Sequence, residues 1–151
     1  MTKASLPPGF SLCQVLEGHT ETINGLDFSP AGEILASSSF DGSIILWEMA
    51  TGKLQQRLLS PSPSCYPRVV KFSPGGQWLA VGSSDKSIQL WSDDNLNQIA
   101  KLERILLNHV GSVNTVAWSP DSRWLASGSE DSTVVLWNTH TWQLQKTLTG
   151  H

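Results

Sequence analysis

His19, Ser37 and Asp41 are the residue types of a hydrolytic triad: a base, a hydroxyl nucleophile and a carboxylate to orient the base. The same types return as His109, Ser127 and Asp131, each 90 residues further along. Catalysis does not need two copies at one offset, whereas a hydrogen-bonded brace inside a repeated unit does. Neither serine sits in a Gly-x-Ser-x-Gly elbow. Both sets therefore read as structural.

Other chemistries find less support. His19, His109, His140, His151, Cys13 and Cys65 match no Cys-x-x-Cys or His-x-x-x-His spacing, so no metal is expected. Asp93-Asp94-Asn95 lacks the spaced acidic ligands of a cation loop and reads as a solvated turn. The glycines are turn residues rather than a phosphate cradle, and no cofactor is expected. Net charge is −3 with no Lys/Arg cluster, which argues against nucleic acid as a partner. No apolar run approaches the roughly 20 residues of a membrane helix. Residues 1–9 read as a Pro-rich, unstructured lead-in without the apolar region of a signal peptide. Two cysteines are too few for a disulfide framework. The expectation is a cytoplasmic protein with no membrane partner.

A repeat must position the candidate residues. Trp47, Trp91 and Trp137 close three similar segments, 44 and 46 residues apart. A period in the forties marks a repeat array. Thr22-Ile23-Asn24-Gly25-Leu26-Asp27-Phe28 alternates with period two, as a half-buried strand does. Ser29-Pro30-Ala31-Gly32 is turn chemistry, Ile34-Leu35-Ala36-Ser37 a second strand, and Asp41-Gly42 a hairpin signal. Ser43-Ile44-Ile45-Leu46-Trp47 suits an inner strand, and Lys53–Leu58 alternates as a wetter outer one. The same four strands recur in the other repeats, with outer strands around Gln98–Leu102 and Gln143–Leu148. Apolar residues at 39% and charged residues at 15% fit a folded core rather than disorder.

These segments resemble the WD-repeat β-propeller family. The resemblance rests on Gly18-His19 to Trp47-Glu48, on Asn108-His109 to Trp137-Asn138, and on the more divergent Phe72 to Trp91-Ser92. It implies an all-β fold, a β-propeller of four-stranded antiparallel blades. This chain would hold three blades plus one extra outer strand over Phe10–Leu16. The repeats would span 10–48, 54–92 and 98–138 within a propeller region of 10–151. Residues 139–151 would hold the last outer strand and the start of another repeat. The resemblance also implies a buried network of His19, Ser37, Asp41 and Trp47 in blade one, and of His109, Ser127, Asp131 and Trp137 in blade three. Repeat two keeps Asp85 and Trp91, but Pro63 stands where the His should be and Val81 where the Ser should be. Blade two is expected to be the least stable.

The function implied is a non-catalytic protein–protein interaction scaffold. The alternative is a small-ligand or catalytic propeller with a site at the mouth of the central channel. Phe40, Ser84 and Glu130 precede the turn Asp of each repeat, where this family exposes a residue at one end of the propeller. Leu96 and Trp142, each five residues past its Trp, are candidates at the opposite end. The expected partners are other proteins, and also this chain itself. Three blades fall short of the four to eight of a closed propeller. Either the chain is a piece of a longer propeller or copies associate to close the ring.

Overall fold

The computed structural model describes residues 13–92 and 100–150. They form twelve strands in three antiparallel sheets, each a simple meander of four. Blade one is β1 (Ile23–Phe28), β2 (Ile34–Ser39), β3 (Ser43–Glu48) and β4 (Lys53–Leu59). Blade two is β5 (Pro67–Phe72), β6 (Trp78–Ser83), β7 (Ser87–Ser92) and β8 (Lys101–Leu107). Blade three is β9 (Val113–Trp118), β10 (Trp124–Ser129), β11 (Thr133–Asn138) and β12 (Gln143–Thr149). Of the extra outer strand expected over Phe10–Leu16, Phe10–Leu12 lie outside the described residues. Cys13–Leu16 run beside blade one, outside its ladder, with the Gln14 amide donating to the Thr51 carbonyl at 3.2 Å.

Local chemistry sets the hairpins. The β1–β2 turn closes through Gly32 N–H to the Ser29 carbonyl at 2.8 Å, and Gly32 adopts φ 75°. That left-handed conformation suits glycine. At the β2–β3 turn Gly42 takes φ 81°, and Lys86 and Ser132 accept the same geometry at φ 76° and 64° in the other blades.

The core lies between the blades. Ala36, Ile44, Leu46 and Leu58 of blade one meet Val70, Leu79, Val81 and Trp91 of blade two. Ala80, Ile88, Leu90 and Leu106 of blade two likewise meet Val113, Val116, Leu125, Val135 and Trp137 of blade three. One side of each sheet supplies small and aliphatic groups, and the next blade answers with its inner strand and its Trp. Polar clamps fix the register. Asp27 accepts the Phe72 N–H and the Lys71 ammonium, each at 2.8 Å. The Gln56 amide makes two bonds with the Ala100 backbone, at 2.8 and 3.1 Å. Trp118 Nε1 donates to the Lys71 carbonyl at 3.0 Å.

The outer strand of blade two differs from expectation. β8 runs from Lys101 to Leu107 rather than around Gln98–Leu102, and it pairs Leu102 with Trp91. In blade one Leu54 pairs with Trp47 and in blade three Leu144 pairs with Trp137, both seven residues on. Blade two needs eleven. Its β7–β8 connection is longer, so counting five residues past Trp91 to Leu96 does not reach the equivalent of Gly52 or Trp142.

Candidate interaction surface and buried polar sets

In blade one the triad-like residues are assembled. His19 Nδ1 lies 2.9 Å from Asp41 Oδ2, and His19 Nε2 lies 2.8 Å from Ser37 Oγ. Trp47 Nε1 donates to the same Ser37 Oγ at 2.8 Å. Asp41 also accepts from Thr20 N–H at 3.1 Å and from the Ser43 hydroxyl at 2.6 Å. Burial opposes ionisation of Asp41, but the bonds from Ser43, His19 and Thr20 outweigh it and hold the carboxyl well below the usual carboxylate range. An ionised Asp41 only accepts, so the imidazole proton sits on Nδ1 and Nε2 accepts from the Ser37 hydroxyl. Arg57, at the position where blade three has Thr147, donates to Ser43 Oγ at 2.8 Å and to the Gly18 carbonyl.

Blade three repeats the set. His109 bridges Asp131 at 2.9 Å and Ser127 at 2.8 Å, and Trp137 Nε1 reaches Ser127 at 3.0 Å. Burial again pushes the Asp131 carboxyl up. The Thr133 hydroxyl, the Val110 N–H and His109 overcome it and leave the group well below its ordinary range. Ser37 and Ser127 are 2% and 1% exposed, and an indole already occupies each hydroxyl oxygen. No substrate carbonyl can approach either oxygen, so the two sets act as braces. Every polar atom in them has a partner, the condition under which a buried network rigidifies.

Blade two carries a different brace. Val81 takes the place of Ser37, as expected. Pro63 is exposed, and the space of the missing imidazole belongs to the buried Cys65 instead. Gln89 stands where Ile45 and Val135 stand in the other blades. It is fully buried, accepts Trp91 Nε1 at 3.2 Å, and donates to Cys65 Sγ at 3.2 Å and Ser83 Oγ at 3.3 Å. Burial pushes the Cys65 thiol up, so it stays protonated. The middle of the network is thus replaced rather than lost. One signal was readable: an amide inside the apolar strand Ser-Ile-Gln-Leu-Trp. Gln89→Leu strips the Trp91 indole of its partner and should cost about 1–3 kcal/mol in urea unfolding. A Gln89→Leu chain as stable as wild type would show that the amide does not brace the blade.

The candidate surface residues divide sharply. Phe40 is 44% exposed and meets Tyr66 edge to face, with centroids 6.3 Å apart at 86°. Ser84 is taken up locally, its hydroxyl accepting the Tyr66 N–H at 2.9 Å. Glu130 binds Arg68 of blade two at 2.7 Å, and Arg68 also donates to Asn114 of blade three at 2.8 Å. Tyr66, the single tyrosine, was not singled out from sequence. Its partner is Phe40, 26 residues away in the chain. Leu96 lies outside the described residues. Trp142 holds φ 56°, where blade one has Gly52 at φ 66°. Its ring packs against Trp78 at 5.1 Å and Trp118 at 6.1 Å, so it braces blades two and three.

Elsewhere, a cavity of about 190 Å³ between blades one and two is walled by Ile34, Leu46, Phe72, Trp78, Leu79 and Trp91. Among the described residues no three His, Cys, Asp or Glu side chains converge to hold a metal ion.

A family model described as WD domain, G-beta repeat, matches residues 10–48, 59–92 and 100–138. The structure titled "Structure of U3-55K" superposes with a TM-score of 0.84 at 27% identity, over 91% of this chain and 42% of that one. "Crystal structure of RRP9 WD40 repeats" has the same TM-score and coverage at 28% identity. The histone transcription regulator slm9 of Schizosaccharomyces pombe is 37% identical over 60 residues, which is 40% of this chain and 7% of that protein. The ribosome biogenesis protein BOP1 of Homo sapiens is 46% identical over 46 residues, 29% of this chain and 6% of that protein. The chain therefore spans less than half of those structures and under a tenth of those relatives.

Proposed function

The chain belongs to the WD40 repeat family, and from that premise we propose that it is a non-catalytic scaffold that binds other proteins. The observation that carries this reading is the Phe40–Tyr66 pair. Two aromatic rings stand exposed at the loop end of blades one and two, with the Tyr66 backbone N–H held by the Ser84 hydroxyl. Exposed, pre-positioned aromatics are frequent anchors of protein interfaces. The hydroxyls that could do chemistry are sealed by their own indoles. The absence of a Lys/Arg stripe in the sequence favours protein over nucleic acid as the ligand. Relatives named for ribosome biogenesis and transcription regulation are consistent with work inside multi-protein complexes. The inter-blade cavity has an apolar wall and no converging set of charges, which weakens the small-ligand alternative.

A photoreactive phenylalanine analogue at position 40 should cross-link a partner, while the same analogue at the exposed Arg123 should not. With that partner purified, Phe40→Ala should weaken binding roughly 30-fold, the scale of an interface hot spot. Unchanged affinity would remove Phe40 from the binding surface.

A further inference from the structure

Serine is followed by proline at Ser29-Pro30, Ser60-Pro61, Ser62-Pro63, Ser73-Pro74 and Ser119-Pro120. The fold sorts these pairs. Ser29, Ser73 and Ser119 form the same corner in each blade, where the hydroxyl accepts the N–H five residues on, from Ile34, Trp78 and Trp124 at 3.1, 3.1 and 2.9 Å. Ser29 and Ser73 are buried, and the Ser119 hydroxyl also donates to Asp121 at 2.6 Å. These three serines belong to the repeat. The other two lie on the loop from β4 to β5, residues 60–66, which is longer than its counterpart 108–112 between β8 and β9. The Ser60 hydroxyl is buried. Ser62 keeps partial exposure between the exposed Pro61 and Pro63, and among the described residues its hydroxyl has no hydrogen-bond partner. The backbone there is lightly held. The Ser62 carbonyl accepts the Cys65 N–H at 3.0 Å, in a turn with Pro63 at its second position. Among the described residues that is the only backbone–backbone bond made by residues 61–64. The ends of the loop are fixed. Ser60 N–H donates to the Gly42 carbonyl at 3.2 Å, and the Tyr66 carbonyl accepts the Ser84 N–H at 3.0 Å.

We propose that Ser62 is a phosphorylation site for a proline-directed protein kinase. Such a kinase takes a serine on an exposed, extended segment, followed by a residue whose ring fixes φ and brings no N–H to bury. Residues 61–64 meet that need once the single turn bond opens. Ser62 Oγ attacks the γ-phosphorus of ATP, and the bond from that phosphorus to the β–γ bridging oxygen breaks. ADP leaves, and the hydroxyl proton passes to the kinase's base. The phosphate carries about −1.5 to −2 charges at pH 7. It stands on a loop tied at one end to the Phe40 turn and at the other to Tyr66. Asp85 already lies beside Cys65 of the same loop. A hydrated anion there opposes the desolvation that docking on the two rings requires, so phosphorylation releases the partner. This consequence rests on the docking role of Phe40, whereas the modification site does not.

Incubation of the folded chain with a mitogen-activated protein kinase and MgATP, followed by peptide mass spectrometry, should place a phosphate on Ser62. Ser62→Ala and Pro63→Ala should each abolish it, and Ser60→Ala should leave it in place, with circular dichroism checking each fold. No incorporation, incorporation that survives Ser62→Ala, or phosphate on Ser29, Ser73 or Ser119 instead would overturn the site. Cross-linking from the phenylalanine analogue at position 40 should fall roughly tenfold in the phosphorylated chain. Undiminished cross-linking would overturn the release of the partner. No cross-link even before phosphorylation would remove the docking reading and this consequence with it, and leave the site standing on the mass result.

Discussion

Asp131→Ala should lower the free energy of unfolding by roughly 2–4 kcal/mol. The carboxylate accepts from His109, from the Val110 and Thr133 N–H groups and from the Thr133 hydroxyl. Its loss leaves the buried His109 Nδ1 with only the Thr133 hydroxyl at 3.3 Å and frees the loop ahead of β9. Asp85→Ala should cost less. In blade two the carboxylate caps Ser87, through its N–H at 3.1 Å and its hydroxyl, and meets the Cys65 thiol, but the Trp indole is held by Gln89 and not through a histidine that depends on the carboxylate. Equal losses at the two positions in denaturant unfolding would contradict the assignment of separate networks. The same carboxylates set the acid response. Asp41 and Asp131 are held below their unfolded values, so their contribution is full above the ordinary carboxylate range near pH 4. It drains away as pH falls from there toward their depressed folded values. Asp131→Asn should flatten the pH dependence of stability below about pH 4.

Ile88→Ala should cost on the order of 2–5 kcal/mol. Ile88 is fully buried between blades two and three, where the methyl groups it loses leave a void that the flanking strands cannot close. Ile105, on the outer strand of the same blade, is 44% exposed. Ile105→Ala should stay within about 1 kcal/mol of wild type. Urea unfolding of the two variants compares one residue type in two environments. Similar losses would mean that the joint between blades is not the core.

The brace of blades one and three was legible because its members repeat. His19, Ser37, Asp41 and Trp47 recur at one offset as His109, Ser127, Asp131 and Trp137, and the types alone say who can donate and who accept. Blade two was misread at one point. Counting back from Asp85 lands on Pro63, but the loop before β5 takes a different path and brings Cys65 inward. Counting cannot follow a loop whose course is set by what fills the space beneath it. The count to Leu96 meets the same limit, because the β7–β8 connection is longer than its counterparts, and Leu96 itself lies outside the described residues.

Strand order, hairpin turns and the period of the blades were determined by the sequence, because each depends on neighbours within a few residues. Period-two alternation marks the strands, and Ser-Pro and Asp-Gly corners mark the turns. The tertiary structure alone decided the partners of residues at blade boundaries. Trp142 sits at a turn tip that demands a left-handed backbone, and it becomes a wedge only because Trp78 and Trp118 meet there. Leu26 and Val70 occupy the same position on similar strands, and one is exposed while the other is buried. Nothing within reach along the chain distinguishes them. What separates them is whether another blade lies alongside, a contact between residues about forty positions apart.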